Sequence, residues 1–281
     1  MKGKIFRQQN FRRNRKALSP AISTVIITSA VVVMVLVAMM YSNTYLNDNL
    51  SRNEFAVNKQ FMLTTSLQLD DIAWIIGRAQ TVRYSAKYGV VDFQNNALNY
   101  SFEVNTNGVW TKVFDLSTGI VTFDMITSDS LLGNTHFQNI STTSRSINQT
   151  GPSAPIANVY AIERGTTSGQ NLASIVVTPT VRMMTSTVGS QNYVKFYLPL
   201  LQTGSISTSF QSVTLIGDPG TKYVYDEASA VRLNATFPAA AKGFNSAFFN
   251  FESNSVTIPL NSGSVVDFYL GEVTVSLGLY V

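Results

Sequence analysis

The sequence predicts an α+β protein in which a long N-terminal hydrophobic α-helix precedes a mainly antiparallel, β-sandwich-like domain. Three observations predict this architecture. No charged residue lies between Lys16 and Asp48, and the stretch between them consists mostly of Val, Ile, Ala, Met and Leu. Apolar residues then recur at helical spacings as far as about Gln80. After Gly89, short runs rich in β-branched and aromatic residues alternate with turn residues such as Asn, Gly and Ser.

The basic residues are concentrated at the N-terminus. Segment 1–16 contains seven Lys and Arg residues and no acidic residue, so it contributes +7 to the net charge of +4 and leaves −3 for the rest of the chain. A nucleic-acid-binding protein carries its basic surface on the folded domain, so no nucleic-acid partner is predicted.

By the positive-inside rule, the basic flank places the N-terminus in the cytoplasm and the residues after Asn43 outside the cell membrane.

The apolar segment 21–41 is long enough to span a bilayer, which takes about 20 predominantly apolar residues. Its few Ser and Thr hydroxyls can bond to carbonyl groups one turn back, so lipid tolerates them. Three interpretations compete: a cleavable secretory signal, a plain membrane anchor, and the polymerising end of a filament subunit. A secretory signal has a shorter apolar core of about 7 to 15 residues and a small-residue cleavage site after it. The residues following this segment make a poor site, which favours the other two interpretations.

The junction RKALSPAISTVI (residues 15–26) places a small residue and a Ser-Pro pair directly before the hydrophobic helix. This pattern resembles the class III signal peptide of archaeal type IV pilins. The resemblance implies that a prepilin peptidase cuts between Ala17 and Leu18. Ser19 and Pro20 suit a helix start, because Ser caps the first turn and Pro lacks only an N–H that has no intrahelical partner there. Bacterial type IV pilins usually carry Glu at the fifth mature position, where this chain has Ile22.

The sequence divides into four predicted segments. They are a basic leader (1–17), a transmembrane or filament-core helix (18–44), an amphipathic helical continuation (45–88) and an extracellular β-rich head domain (89–281). In the continuation, the adjacent Asp70 and Asp71 could be taken for a catalytic pair. Consecutive helical side chains diverge by about 100°, and basic residues follow closely, so a solvated or salt-bridged face is the favoured interpretation.

About a dozen short strands are predicted after Gly89, without intervening helices, which favours an antiparallel sandwich or barrel-like fold. The first four, at 90–93, 97–104, 109–114 and 120–126, are predicted to form a meander with turns at NNA, NTNG and STG. The polar stretch 127–155 is predicted to be a long exposed loop or a boundary between sub-sheets. Segment 239–253 is predicted to be a short helix or a loop packed by aromatic side chains.

The composition leaves little scope for catalysis. The chain has no Cys and one His, His136, so thiol chemistry, disulfides and multi-histidine metal sites are excluded. No phosphate-binding loop, nucleophile elbow or metal-binding motif is present. The adjacent Asp226 and Glu227 supply too few staggered oxygens for a calcium site. We therefore predict no catalytic residue, no cofactor and no metal, and expect the protein not to be an enzyme.

Asn-x-Ser/Thr sequons occur at Asn49, Asn99, Asn139, Asn148 and Asn234. Their number matches chance, because Asn, Ser and Thr are abundant in this chain. If the head domain lies outside the cell, Asn139 and Asn148 are the first candidate glycan acceptors, since they fall in the predicted loop. The chain would then be a glycoprotein.

The pilin resemblance implies a structural subunit of an archaeal type IV pilus-like surface filament. Its partners are prepilin peptidase, the membrane before assembly, and other copies of itself through the N-terminal helix. The precursor is expected in the cell membrane and the mature form in an extracellular filament. The alternative is a monomeric, membrane-anchored, adhesin-like extracellular binding domain. An anchored hydrolase is disfavoured because no nucleophile or metal constellation is visible.

Overall fold

The computed structural model describes residues 15–127, 130–133, 135–165, 170–207 and 211–278, with the side chains of the first helix described from Ile22 onward. The predicted fold class is confirmed: one long N-terminal helix precedes a large, mostly antiparallel, sheet-rich domain. The elements are α1 (Arg15–Ile72), β1 (Ala79–Arg83), β2 (Gly89–Thr106), β3 (Val109–Thr127), β4 (Phe137–Asn139), β5 (Asn148–Thr150), β6 (Ala157–Gly165), β7 (Asn171–Pro179), β8 (Val181–Val188), β9 (Gln191–Ile206), β10 (Ser212–Gly217), β11 (Thr221–Thr236), a 3-10 turn (Ala240–Lys242), α2 (Ser246–Phe249) and β12 (Ser255–Leu277).

Helix α1 begins and ends earlier than the sequence pattern predicts. It starts at Arg15, so Ser19 and Pro20 lie one turn inside it and are not its first residues. It ends at Ile72, so the predicted helical continuation through residue 88 is wrong. The chain turns after Ile72, and within this turn Gly77 adopts the left-handed conformation with φ +74°. The following residues instead form β1, which pairs antiparallel with β10.

The boundary between the two compact units also differs from the predicted one. The units are Met1–Ser51 and Arg52–Val281, whereas the head domain was predicted to begin at residue 89. The C-terminal part of α1 belongs to the head because its apolar side chains are buried in the head's core, Met62 and Ile72 among them. The boundary of the head domain is therefore set by the burial of α1 side chains against distant strands. It does not coincide with the change from helical to strand-like composition.

The twelve described strands form one connected sheet. Ten of them follow the order β4-β6-β7-β3-β2-β11-β12-β9-β8-β5, and β10 joins β12 to β1. Pairing is antiparallel except between β9 and β12 and between β5 and β8. Several strands are far longer than the short runs predicted from the sequence. The longest, β12, has 23 residues and pairs in succession with β11, β9 and β10.

The predicted four-strand meander is a single long hairpin of β2 and β3. The NTNG turn is confirmed: Asn107 and Gly108 both have positive φ, as a two-residue hairpin turn requires. The expected turn at NNA is instead a bulge within β2, where Asn96 has φ +51° and the register shifts between Gln94 and Leu98. The expected turn at STG lies within β3.

The sheet folds back so that strands distant in the ladder face one another. The backbone N–H of Leu201 in β9 donates to Thr118 Oγ1 in β3 at 2.9 Å, and the rings of Phe102 in β2 and Phe196 in β9 meet with centroids 6.1 Å apart. One core lies between these layers, and a second includes the buried face of α1 residues 52–72. This arrangement is consistent with the predicted sandwich.

Two irregular segments contain more structure than a loop. The polar stretch 127–155, predicted to be a long exposed loop or a boundary between sub-sheets, contributes β4 and β5 to the two ends of the sheet order. Segment 239–253 contains α2, where Asn245 caps the helix by accepting the N–H of Phe248 at 3.1 Å. Phe248 and Phe249 are buried, as expected of a short element packed by aromatic side chains.

Candidate functional site

The apolar stretch of α1 is exposed throughout its described length. From Ile22 to Leu46 every described side chain is solvent-exposed, with Met40 at 73%. No charged residue interrupts this stretch. The described helix contains one segment long and apolar enough to cross a membrane. It is therefore compatible with membrane anchoring.

The hydroxyl side chains within this stretch bond to their own helix, as the sequence predicts. Thr28 Oγ1 donates to the Thr24 carbonyl at 2.9 Å, and Ser29 Oγ donates to the Ile26 carbonyl at 2.9 Å. The hydroxyl protons of Thr28 and Ser29 thus have partners inside the helix, so these two side chains are tolerated in contact with lipid or with an apolar neighbour.

The predicted processing site lies at the N-terminal end of α1. Ala17, Leu18, Ser19 and Pro20 have helical backbone, and their side chains lie outside the described part of the chain. The leader residues 1–14 also lie outside it. Cleavage between Ala17 and Leu18 remains a prediction.

The two adjacent aspartates of α1 bond to different partners. Asp70 forms an ion pair with Arg182 of β8, whose guanidinium also donates from Nε to a backbone carbonyl. Asp71 pairs with Arg78 in the turn after the helix. The carboxylates therefore do not converge on a common site, and the salt-bridged interpretation made from the sequence is confirmed.

Glu54 binds the backbone of a distant segment, a role that was not predicted from the sequence. Its carboxylate accepts backbone N–H groups from Lys87 at 2.9 Å, Tyr88 at 2.9 Å and Gly89 at 3.0 Å. Hydrogen bonds to a charged acceptor are stronger than neutral ones. This residue ties α1 to the segment that enters β2. The sequence predicts only that Glu54 lies in the helix. Its hydrogen-bond partners could not be predicted, because they are more than 30 residues away.

The two sequons predicted to lie in a loop are in short edge strands. Asn139 lies in β4 and donates from Nδ2 to the Thr143 carbonyl at 3.0 Å. Asn148 lies in β5 and accepts from Ser146 Oγ at 3.1 Å through Oδ1. Both are partly exposed. Within the described ranges Nδ2 of Asn148, the atom that would carry a glycan, has no hydrogen-bond partner.

The other three sequon side chains are engaged in regular structure. Asn99 in β2 donates to Asp115, and Asn234 in β11 donates to Ser101 at 3.4 Å. Asn49 donates to the carbonyl of Tyr45 within α1 at 2.8 Å.

The remaining polar residues considered from the sequence do not assemble a site. His136 is exposed. Asp226 and Glu227 are both exposed, and Glu227 has φ +58° at an irregularity of β11. In the described ranges no three His, Asp or Glu side chains lie close enough together to hold a metal ion.

A groove of about 380 Å³ lies on the head domain between the end of α1 and strands β9, β11 and β12. We call it the aromatic groove. Its lining includes Trp74, Ile76, Tyr197, Asp218, Lys222 and Tyr269. A cavity of this size is within the range of small-ligand sites. The groove was not predicted from the sequence, because its lining residues lie far apart in the chain.

No protein-family model, curated protein or solved structure matches the chain. Among the described residues, the exposed apolar helix and the aromatic groove of the head domain are the two candidate functional surfaces.

Proposed function

We propose that the protein is a structural subunit of an archaeal type IV pilus-like surface filament. It would polymerise through its N-terminal helix after removal of a leader of residues 1–17. The observation that carries the proposal is the uninterrupted exposure of apolar side chains from Ile22 to Leu46. The second support is the KALSP sequence at the cytoplasmic edge of that helix.

The exposed helix needs a partner on physical grounds. Burying one Val, Leu, Ile or Met side chain is worth about 1.5 to 3 kcal/mol relative to leaving it in water, and this segment is composed largely of such residues. Lipid supplies that environment before assembly, and the helices of other copies supply it in a filament. Both environments are apolar, so assembly exchanges lipid contacts for helix contacts.

The proposal also specifies topology. The basic leader keeps the N-terminus of the precursor in the cytoplasm, where prepilin peptidase cuts. The head domain then faces the cell exterior and coats the filament. Of the five sequons, Asn148 is the preferred glycan acceptor in this setting, since the residue is partly exposed and its Nδ2 has no partner in the described residues.

The second candidate function is a monomeric, membrane-anchored, adhesin-like binding domain. The aromatic groove favours it, because a concave surface lined by aromatic and polar side chains is typical of ligand sites. The two functions predict the same membrane orientation and differ in leader removal and polymerisation.

N-terminal sequencing of the surface-exposed protein tests the proposal. A mature chain beginning at Leu18 is the expected result, and an intact leader contradicts it. Ala17→Phe is expected to block the cut by placing a bulky ring at the cleavage site. Ala38→Phe makes the same change deeper in the same helix and is expected to leave the cut intact.

Electron microscopy of material sheared from the cell surface provides the second readout. Filaments that disassemble into the processed chain support a filament subunit. A processed chain that remains in the membrane fraction and yields no filaments contradicts polymerisation.

A further inference from the structure

The register of four neighbouring strands builds the wall of the aromatic groove. Arg182 of β8 pairs with Tyr197 of β9, Tyr197 pairs with Tyr269 of β12, and Tyr269 pairs with Lys222 of β11. Directly paired residues project from the same face of a sheet. These four side chains therefore form one row, with a cation at each end and two aromatic rings between them.

The two tyrosines of this row are held rigidly. Their rings are stacked with centroids 4.7 Å apart and planes 8° apart. Lys222 Nζ lies 5.2 Å from the centroid of the Tyr269 ring, which is within the range of a cation–π contact. Because the two rings pack against each other, the wall needs little reordering when a ligand binds.

Trp74 forms the apolar side of the groove that faces this wall. Its ring meets Tyr197 edge to face at 5.3 Å, and its Nε1 donates to Asp70 at 3.3 Å. The close approach depends on Gly271, where an added Cβ would lie 2.8 Å from Cζ3 of the indole. The neighbouring Ile76 is 68% exposed and extends the apolar surface.

The groove also presents both hydrogen-bond donors and acceptors. Asp218 accepts from Thr274 Oγ1 at 2.5 Å through Oδ2, and its Oδ1 has no partner among the described residues. Lys222 is exposed and pairs with the buried carboxylate of Asp267 at 3.3 Å. The groove therefore offers a free carboxylate oxygen, an ammonium group with protons to spare and the Tyr197 hydroxyl beside an apolar surface, whereas the Tyr269 hydroxyl already donates to Asp267 at 3.4 Å.

We propose that the aromatic groove binds a neutral sugar ring of a glycan. A pyranose has C–H faces that pack against apolar and aromatic side chains such as Trp74 and Ile76. Its hydroxyls both donate and accept, so they can donate to Asp218 Oδ1 and accept from Lys222. Small-ligand sites combine a mostly apolar lining with a few convergent polar groups in this way.

Other ligand classes fit the groove less well. An anion would face the carboxylate of Asp218, while the charge of Lys222 is already partly satisfied by Asp267. A cationic ligand would compete with Lys222 for the face of Tyr269. A wholly apolar ligand would leave Asp218 Oδ1 buried without a partner, which is costly.

The fluorescence of Trp74 can report ligand binding in the groove. It contains two tryptophans, and the second, Trp110, lies under Arg232, with the guanidinium carbon 4.1 Å from the ring centroid. Trp110→Phe therefore leaves a chain whose tryptophan fluorescence comes from the groove alone. The full chain carrying this change, in detergent, would be titrated with neutral hexoses and N-acetylhexosamines and their oligomers, with glucuronate and choline as charged probes.

A saturable change of Trp74 fluorescence with a neutral saccharide, absent with glucuronate and choline, is the expected result. Lys222→Ala and Asp218→Asn, each made on the same background, are expected to weaken binding about tenfold or more through loss of a charged hydrogen bond. Lys112→Ala is the matched control, since Lys112 is also an exposed lysine paired with an aspartate, Asp115. It is expected to leave the affinity unchanged.

No saturable response to any neutral saccharide overturns the proposal, and so does equal affinity in Lys222→Ala and the parent chain. Preferential binding of glucuronate or choline also overturns it and assigns the groove to a charged ligand. Lys222→Ala leaves the buried Asp267 without its cation, so denaturant unfolding of each variant accompanies the titration and only variants that remain folded are compared. The inference does not depend on polymerisation: leader cleavage tests the filament proposal, and saccharide binding tests the groove.

Discussion

The Glu54 carboxylate accepts the backbone N–H of Gly89 at 3.0 Å, which joins helix α1 to the first residue of β2. The same carboxylate also accepts the N–H groups of Lys87 and Tyr88. One side chain thus satisfies three successive backbone donors in a segment that precedes the strand. Glu54 therefore fixes the position of residues 87–89, where the chain enters β2.

Replacing Glu54 with Gln is expected to destabilise the head domain by about 1.5 to 3 kcal/mol. The substitution keeps the shape and removes the charge that strengthens the three hydrogen bonds. Denaturant unfolding of the full chain in detergent measures the change. Glu252→Gln is the control, because Glu252 accepts a single long backbone bond from Arg145, at 3.4 Å. Equal effects of the two variants would contradict the special role of Glu54.

Replacing Gly271 with Ala is expected to destabilise the head by about 1 to 3 kcal/mol. The added Cβ would collide with the carbonyl oxygen of Ala73 and with the Trp74 ring, where the end of α1 lies against β12. Gly165→Ala is the matched control, since a Cβ there meets nothing within 4 Å. Thermal unfolding of both variants measures the difference, and a neutral Gly271→Ala would show that the helix end can move away.

Asp70→Asn is expected to cost more stability than Asp71→Asn. The partner of Asp70 is Arg182, whose side chain is only 11% exposed, so the change leaves a poorly solvated guanidinium without its counter-ion. The Asp71–Arg78 pair is exposed on both sides, and such pairs contribute about 0 to 1 kcal/mol. Chemical denaturation of the two single variants compares them directly. A larger cost for Asp71→Asn would contradict this order.

The head domain is expected to lose stability above pH 10. Burial raises the pKa of Tyr100 and of Tyr160 in the folded state. The stabilisation is complete below the ordinary tyrosine pKa of about 10 and falls as pH rises above it, because the unfolded chain then releases protons that the folded chain retains. Each tyrosine contributes a slope of about 1.4 kcal/mol per pH unit.

Unfolding at a series of pH values from 9 to about 11.5 measures this slope. Tyr100→Phe is expected to reduce the slope while lowering stability at pH 7, because it removes the hydrogen bond from Tyr100 to the Pro179 carbonyl. Tyr223→Phe, at an exposed position, is the control. An unchanged alkaline slope in Tyr100→Phe would contradict the assignment.

Val33→Asp is expected to reduce membrane insertion and, on the filament proposal, assembly. An Asp at the centre of a spanning helix costs about 3 kcal/mol of apparent insertion free energy, and Val33 lies in the exposed apolar stretch of α1. Membrane fractionation measures insertion, and Val33→Leu serves as the control. Denaturant unfolding of the head is expected to be unchanged, since Val33 lies outside the compact unit Arg52–Val281.

The sequence by itself determined the features that depend on neighbouring residues. The apolar run of α1 and the hairpin turn at Asn107 and Gly108 are local, because hydropathy and a positive-φ turn are specified by a few consecutive side chains. The α+β class follows from the same local patterns.

Only the tertiary structure decided where α1 ends, what Glu54 binds and how the aromatic groove is built. Each of these depends on partners far apart in the chain: Asp70 and Arg182 are separated by 112 residues, and Tyr197 meets Tyr269 only through the parallel register of β9 with β12. A strand slipped by one residue would turn either ring to the opposite face. Register and long-range burial are set by the whole fold, so no local pattern contains them.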